Sequence, residues 1–167
     1  MPQSRRSFLA TGLTVAMLGT AGVALVRLPA ADPGRRVLSA QEALVVEALG
    51  EALFPAGSPI GISAADVDIV SAVDELLGEY LEPVVADVFR HTLQALEAGT
   101  LASRGTRFSL LPLEQRRVVV ETWGDPGLMP RRMASDALRL VMGMSFFNVP
   151  AVRRSLGWVP PCGQEAV

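Results

Sequence analysis

The stretch LVMGMSFF, residues 140–147, contains no charged side chain, whereas the ten residues before it include three arginines and an aspartate. A helix that is apolar on every side is buried on every side. In a domain of this size, the domain's own residues can hardly cover such a helix completely. Two interpretations follow, and the sequence leaves both open. The helix lies within the domain's own core, or part of it lies beneath a partner protein.

The helix that carries this stretch is predicted to begin near Pro130 and to end before Pro150. Proline is tolerated in the first turn of a helix, where its missing N–H would have no partner, and it interrupts a helix elsewhere. Residues 153–158 are predicted to form a short tail element. Residues 160–167 are expected to be a loose C-terminal tail.

Earlier in the chain, the capping residues, prolines and glycines predict four further helices and no convincing strand, so the expected fold class is all-α. The first helix opens with a capping box formed by Ser39 and Glu42, and it runs to about Phe54. The second follows a similar signal at Ser63 and Asp66. Its buried face is predicted to comprise Val70, Val73 and Leu77. We therefore expect a compact single domain of about five helices.

The third helix is predicted to start at Pro83 and to end at Gly99, because glycine readily adopts the left-handed conformation that caps a helix. The fourth is predicted over residues 113–123, opened by Pro112 and ended by the turn at residues 124–127. The buried stripe of the third helix is predicted to comprise Val85, Val88, Phe89, Thr92 and Leu96.

The N-terminus reads MPQSRRSFLATG, in which Arg5, Arg6, Phe8 and Leu9 match a twin-arginine (Tat) export signal. No charged residue occurs from position 8 to position 26, and small residues follow, as in secretory signals. The alternative is a short membrane anchor whose arginines lie on the cytoplasmic side. About 19 apolar residues are just enough to span a bilayer, so an uncleaved signal would tether the protein.

The predicted organisation is a signal over residues 1–30, cleaved after Ala30 or retained, followed by a linker over 31–38 and a helical domain over 39–159. The protein is expected to be exported by the Tat pathway to the periplasm or to the outer face of the cytoplasmic membrane. Its membrane contact is expected to run through the signal segment only.

Composition narrows the function classes. With 17 acidic and 15 basic residues, the formal net charge is −2, which gives no electrostatic reason to bind nucleic acid. One histidine and one cysteine, His91 and Cys162, cannot supply a metal or haem site at set spacing. There is neither a glycine-rich dinucleotide motif nor a Walker-type loop. The sequence therefore predicts no catalytic, cofactor-binding or metal-binding residues.

An acidic series on and around the second helix is the remaining enzymatic alternative. Two carboxylates act as an acid and a base when their environments separate their pKa values. Helical spacing instead places several of these residues on an open surface, so a solvated face is the favoured interpretation. The series comprises Asp66, Asp68, Asp74, Glu75, Glu79 and Glu82.

Several short motifs follow the twin-arginine start, and their order along the chain is that of a known family. They are EALFP (51–55), AADVD (64–68), RFS (107–109), EQRR (114–117), Trp123, FFNVP (146–150) and VRRSLGW (152–158). Together they resemble the gluconate 2-dehydrogenase subunit 3 family, the small subunits of flavin-dependent GMC-type dehydrogenases. Two positions depart from the family pattern: Trp158 stands where tyrosine is usual, and Leu111 precedes Pro112 where serine or threonine is more usual.

The resemblance implies that this chain is a non-catalytic small subunit. The large, FAD-dependent partner would hold the flavin and perform the oxidation, so no cofactor is expected in this chain. The small subunit would support the folding of the large one and lend its signal, so that the Tat translocon exports the folded pair. The alternative is a self-contained helical protein of the cell envelope without a redox partner.

If part of the last helix lies beneath a partner, its aromatic and methionine side chains are the expected anchors, because these residue types are enriched at interface centres. The predicted partner interface comprises Met142, Met144, Phe146, Phe147 and Trp158.

Overall fold

A computed structural model describes residues 27–125, 127 and 129–158 of the chain. Six α-helices and no strand occur in this part of the chain, which confirms the all-α prediction. The helices are α1 (Ala40–Leu53), α2 (Ile69–Glu75), α3 (Pro83–Arg104), α4 (Leu113–Trp123), α5 (Met129–Asn148) and α6 (Pro150–Ser155). A π-helical turn, Leu76–Tyr80, extends α2, and 3-10 turns occur at Ala64–Asp66 and Phe108–Leu110.

The helix starts follow the local chemistry of the sequence. The Ser39 hydroxyl accepts the N–H of Glu42, and the Glu42 carboxylate accepts the N–H of Ser39, which completes the predicted capping box of α1. Pro83 occupies the first turn of α3, as predicted. Helix α4 has the predicted bounds, and the tail element after Pro150 is the sixth helix, α6.

The C-terminal cap of helix α3 lies six residues later than the sequence suggests. Gly99 lies within the helix, and the left-handed cap is Gly105, whose φ is 71° and whose N–H binds the carbonyl of Leu101. The Thr100 and Ser103 hydroxyls donate to carbonyls one turn back, so both polar side chains are accommodated inside the helix. Gly99 does not stop the helix because the backbone turns left-handed only at Gly105.

The buried face of α3 also differs from the predicted stripe. Phe89 and Leu96 are buried as predicted, but Val85 is exposed, and Val88 and Thr92 are half-buried. The observed face is rotated because three polar residues share it. The buried residues of α3 are Ala86, Phe89, Arg90, Leu93, Leu96, Glu97 and Thr100.

Helix α1 lies at the centre, packed against α2, α3, α4 and the two 3-10 turns, and α5 closes the core against α2, α3 and α4. Gly50 in α1 permits close packing, because a Cβ there would lie 3.1 Å from the Ala64 side chain and 3.5 Å from the Met142 methyl group. Val73 and Leu77 of the second helical segment are buried as predicted, and Val70 is half-buried. Within the described residues, no helix is both long and apolar enough to cross a membrane.

Candidate partner-binding surface

Helix α5 has two apolar faces, and only one of them is covered. The face toward α2, α3 and α4 carries Leu138, Met142 and Phe146, of which Met142 and Phe146 have no exposed surface. The Phe146 ring stacks on Phe54 with centroids 4.1 Å apart and planes inclined by 4°. At these positions the domain's own core covers the uncharged stretch.

Two of the five residues predicted to contact a partner therefore present no surface in this domain. Met142 and Phe146 fill the core because α1 and the Phe54 ring lie directly against them. Met144, Phe147 and Trp158 are 43%, 42% and 50% exposed. The predicted interface accordingly reduces to these three side chains, and their role in binding stays a prediction.

The opposite face of α5 carries a row of exposed apolar side chains that the sequence reasoning missed in part. We call it the α5 row, and it comprises Met133, Ala137, Leu140, Met144 and Phe147. Leu140 is 63% exposed and Met133 is 45% exposed, while Ala137 is half-buried. The intervals along the chain are four, three, four and three residues, which is the heptad spacing of a coiled-coil seam.

The α5 row is continuous in three dimensions. Fourteen residues of helix separate its first and last members, a length of roughly 21 Å. Beside it, a Cβ added at Gly143 would meet nothing within 4 Å, so the helix backbone is open to close approach there. A second helix is the shape that fits such a straight, narrow apolar row.

The C-terminal end of the α5 row is held in place by aromatic contacts. The Phe147 ring makes edge contacts with Phe54 and Phe146, at centroid distances of 5.9 Å and 5.4 Å. Arg153 donates to the carbonyl and side-chain oxygens of Asn148, the last residue of α5, and its guanidinium lies 5.3 Å from the centre of the Trp158 ring. Trp158 therefore lies near the same end of α5 as Phe147.

A buried polar cluster lies between α1 and α3. The Glu42 carboxylate accepts hydrogen bonds from Arg90 Nε, at 3.1 Å to each oxygen, and from Gln94 Nε2, in addition to its capping bonds from Ser39. Arg90 Nη2 also lies 3.1 Å from Glu42 Oε2 as an ion pair. Arg90 also donates from Nη2 to the carbonyl of Pro29 at 2.5 Å. Both Glu42 and Arg90 are less than a tenth exposed. Each is fully engaged, so this ion pair is structural.

Glu97, about two turns beyond Arg90 on α3, is also fully hydrogen-bonded, but to neutral donors. Its carboxylate accepts from the Gln41 side chain at 2.9 Å, and from the Ser109 hydroxyl and N–H at 2.6 Å and 3.0 Å. These bonds hold the Phe108–Leu110 turn against α1 and α3. A groove of about 250 Å³ above this region is lined by Gln41, Leu93 and Leu101, among others.

The segment predicted to be a linker is fixed to the domain by Asp74. The Asp74 carboxylate accepts the backbone N–H groups of Arg36, Val37 and Leu38 at 2.7 Å, 3.0 Å and 2.8 Å. Burial acts to raise the pKa of Asp74, but these hydrogen bonds outweigh it and hold the pKa below its ordinary value of 3.8. We call residues 29–38 the strap, because Arg90 binds it at Pro29 and Asp74 binds it at residues 36–38.

Three aspartates of the acidic series have pKa values that are lowered from the ordinary value of 3.8. Hydrogen bonds from Ser63 lower the pKa of Asp66, and the N–H of Ser71 lowers the pKa of Asp68. A general acid needs a raised pKa, so these shifts have the wrong sign for one. Glu75, Glu79 and Glu82 are exposed, as the sequence predicts for a solvated face, whereas Asp74 is buried. No group of three potential metal ligands occurs among the described residues.

The predicted export residues Arg5, Arg6, Phe8 and Leu9 lie outside the described residues, as do Cys162 and the tail at 160–167. Met133 and Leu140 are absent from the predicted interface because the heptad spacing that joins them begins at Met133, seven residues before the uncharged stretch 140–147. Counting apolar positions at intervals of three and four over the whole of α5 would have found them.

Comparison with known proteins gives one family. The family model described as gluconate 2-dehydrogenase subunit 3 matches residues 40–160, which is most of the chain and includes all six helices. No curated protein and no solved structure is significantly similar to the chain.

Proposed function

The chain belongs to the gluconate 2-dehydrogenase subunit 3 family, and from this premise we propose that it is an accessory subunit of a flavin-dependent, GMC-type oxidoreductase. In this role it binds the large subunit, supports its folding and supplies the Tat signal with which the folded pair is exported. The large subunit holds FAD and carries out the oxidation, and this chain contributes a binding surface.

The observation that supports this proposal most directly is the α5 row. Leu140 and its neighbours form an apolar face on the side of α5 away from the core. Exposed apolar rows of this length mark protein interfaces. Aromatic and methionine side chains, which Phe147, Met133 and Met144 provide, are the types that concentrate at interface centres.

The signal and the strap support the export part of the proposal. Arg5, Arg6, Phe8 and Leu9 carry the Tat pattern, and the uncharged run that follows them ends at Val26, three residues before Pro29 of the strap. A partner that lacks its own signal and is bound to the α5 row would then be exported together with this chain. The Tat route carries folded proteins, so a flavin inserted before export can travel with the enzyme.

Affinity purification of a C-terminally tagged form from the envelope of its native host tests the proposal. A yellow preparation that contains a larger flavoprotein in a fixed ratio is the expected result. The control carries Arg5→Lys and Arg6→Lys, which should leave both chains in the cytoplasm together.

A colourless preparation of the single chain, stable without any partner, would overturn the accessory role. In that case a self-contained envelope protein, the alternative that the sequence leaves open, would take its place. If the wild-type pair is found in the cytoplasm but not in the envelope, the chain binds the partner but does not serve its export.

A further inference from the structure

The backbone of the strap is bound to the folded domain at both of its ends. At the first end, the carbonyl of Pro29 accepts a hydrogen bond from Arg90, whose buried side chain is also paired with Glu42. Because Arg90 is itself fixed between α1 and α3, this bond holds the beginning of the strap on the domain. At the other end, Asp74 binds the N–H groups of residues 36–38.

Between these two anchors the strap bends back on itself at Asp32. The Asp32 carbonyl accepts the N–H of Arg35 at 2.9 Å, and Gly34, third in this four-residue turn, has a φ of 89°. Proline in the second place and glycine with a positive φ in the third are typical of a type II turn. The Asp32 N–H also donates to the carbonyl of Leu38 at 2.9 Å. Both backbone groups of Asp32 are therefore hydrogen-bonded within the strap.

The peptide bond between Ala30 and Ala31 lies between the bound carbonyl of Pro29 and the bound backbone of Asp32. Both alanines are exposed, so side-chain exposure alone would make this bond a site of cleavage. Susceptibility depends on the hydrogen bonding of the backbone as well, because an enzyme that captures a peptide through its main chain needs that chain extended and free. Here the residue on each side of the two alanines is already bound.

We propose that the strap closes the Ala30–Ala31 bond to proteases in the folded protein, so that residues 1–30 stay attached after export. The export part of this inference rests on the proposed function. The Tat route carries folded proteins, so the strap is already in place when the chain reaches the outer face of the membrane. Cleavage then requires the strap to open first, and its rate follows the small open fraction of molecules. Of the two fates that the sequence leaves open, cleavage after Ala30 and retention, the strap favours retention.

Limited proteolysis of the purified full-length chain tests the inference. Elastase is the probe, because it cleaves after small residues such as alanine. The test variant carries the four residues Gly-Ser-Gly-Ser inserted between Ala31 and Asp32. This insertion leaves the turn and the Asp74 bonds in place and frees the backbone that follows the two alanines. The matched control carries the same insertion after Gly57, an exposed loop residue whose Cβ position has nothing within 4 Å.

Cleavage between Ala30 and Ala31, identified by the mass of the product, should be at least tenfold faster in the test variant than in wild type. The control should be as resistant as wild type. Equal rates in wild type and the test variant would overturn the inference, because the bonds of the strap would then give no protection. This comparison involves neither the flavoprotein nor export, so its result is independent of the proposed accessory role.

The mass of the chain purified from the envelope gives a second readout. Wild type should retain the segment before Ala31, and the test variant should lose it. A wild-type chain that begins at Ala31 would contradict retention, even where the flavoprotein is bound to it. Retention of the segment in both chains would show that the strap is not the cause, and would overturn the inference as well.

Discussion

The polar side chains around Glu42 are buried and hydrogen-bonded within the domain, whereas the apolar side chains of the α5 row are largely exposed to solvent. Glu42, Arg90 and Asp74 are buried, and each binds partners within the domain. Leu140, in the α5 row, is exposed on the side of its helix away from the core. The difference teaches that a conspicuous charge can serve the fold alone, whereas a row of ordinary apolar residues is the better candidate for function. Changes in the first region should affect stability, and changes in the second should affect binding.

The largest effect is expected from Arg90→Ala. This change leaves the Glu42 carboxylate buried without its cation, so the free energy of unfolding should fall by about 3–5 kcal/mol in urea denaturation. The control is the double variant Glu42→Gln with Arg90→Leu, which retains the capping box and removes both charges.

The double variant should be more stable than Arg90→Ala alone. If Arg90→Ala costs less than about 1 kcal/mol, the ion pair is solvated and the contrast between the two regions fails.

A smaller loss of stability, which depends on pH, is expected from Asp74→Asn. Asparagine replaces one acceptor oxygen with a donor that faces the N–H groups of the strap, so the free energy of unfolding at pH 7 should fall by about 2–3 kcal/mol. The folded-state pKa of Asp74 lies below the ordinary value of 3.8, so its carboxylate stabilises the fold fully above that value and loses this effect as the pH falls through the folded-state pKa.

The stability difference between wild type and Asp74→Asn should therefore shrink on acidification below about pH 4. Thermal unfolding at a series of pH values measures it. A difference that is the same at pH 3 and pH 7 would show that the carboxylate charge does not hold the strap.

The smallest effect is expected from Gly143→Ala, beside the α5 row. A Cβ there meets nothing within 4 Å, and alanine favours the helix over glycine, so stability should rise by about 0.5–1 kcal/mol. If a helix of the partner packs closely on this side, the same methyl group should weaken binding. A variant that is more stable and binds as well as wild type would place the partner away from Gly143.

The sequence predicts the helices better than it predicts which faces they bury. The capping box at Ser39 and the proline before α4 are local signals, and the helices they open have the predicted starts. Gly99 misleads because glycine does not stop a helix unless the backbone turns left-handed, as it does at Gly105. Local chemistry is visible in the sequence, whereas the route of the chain after each helix is not.

The buried polar residues explain most of the remaining difference. Arg90 and Glu97 occupy the inner face of α3 because partners far along the chain, Glu42 and Ser109, neutralise or bind them. When the buried face of α3 is predicted from apolar residues alone, charged residues are placed in solvent, and the predicted face is therefore rotated from the observed one. Asp74, the buried member of the acidic series, is likewise held by backbone groups far along the chain, the N–H groups of residues 36–38.

The central claim is that the α5 row binds the partner, and Leu140→Asp tests it most directly. Leu110→Asp is the matched control, since Leu110 is 69% exposed on the Phe108–Leu110 turn and Leu140 is 63% exposed. Both variants should unfold within about 0.5 kcal/mol of wild type, because both side chains face solvent. The measurement is the dissociation constant of each purified variant for the large flavoprotein. The account predicts a rise of at least tenfold for Leu140→Asp and of less than twofold for Leu110→Asp. A folded Leu140→Asp variant that binds as tightly as wild type would contradict it.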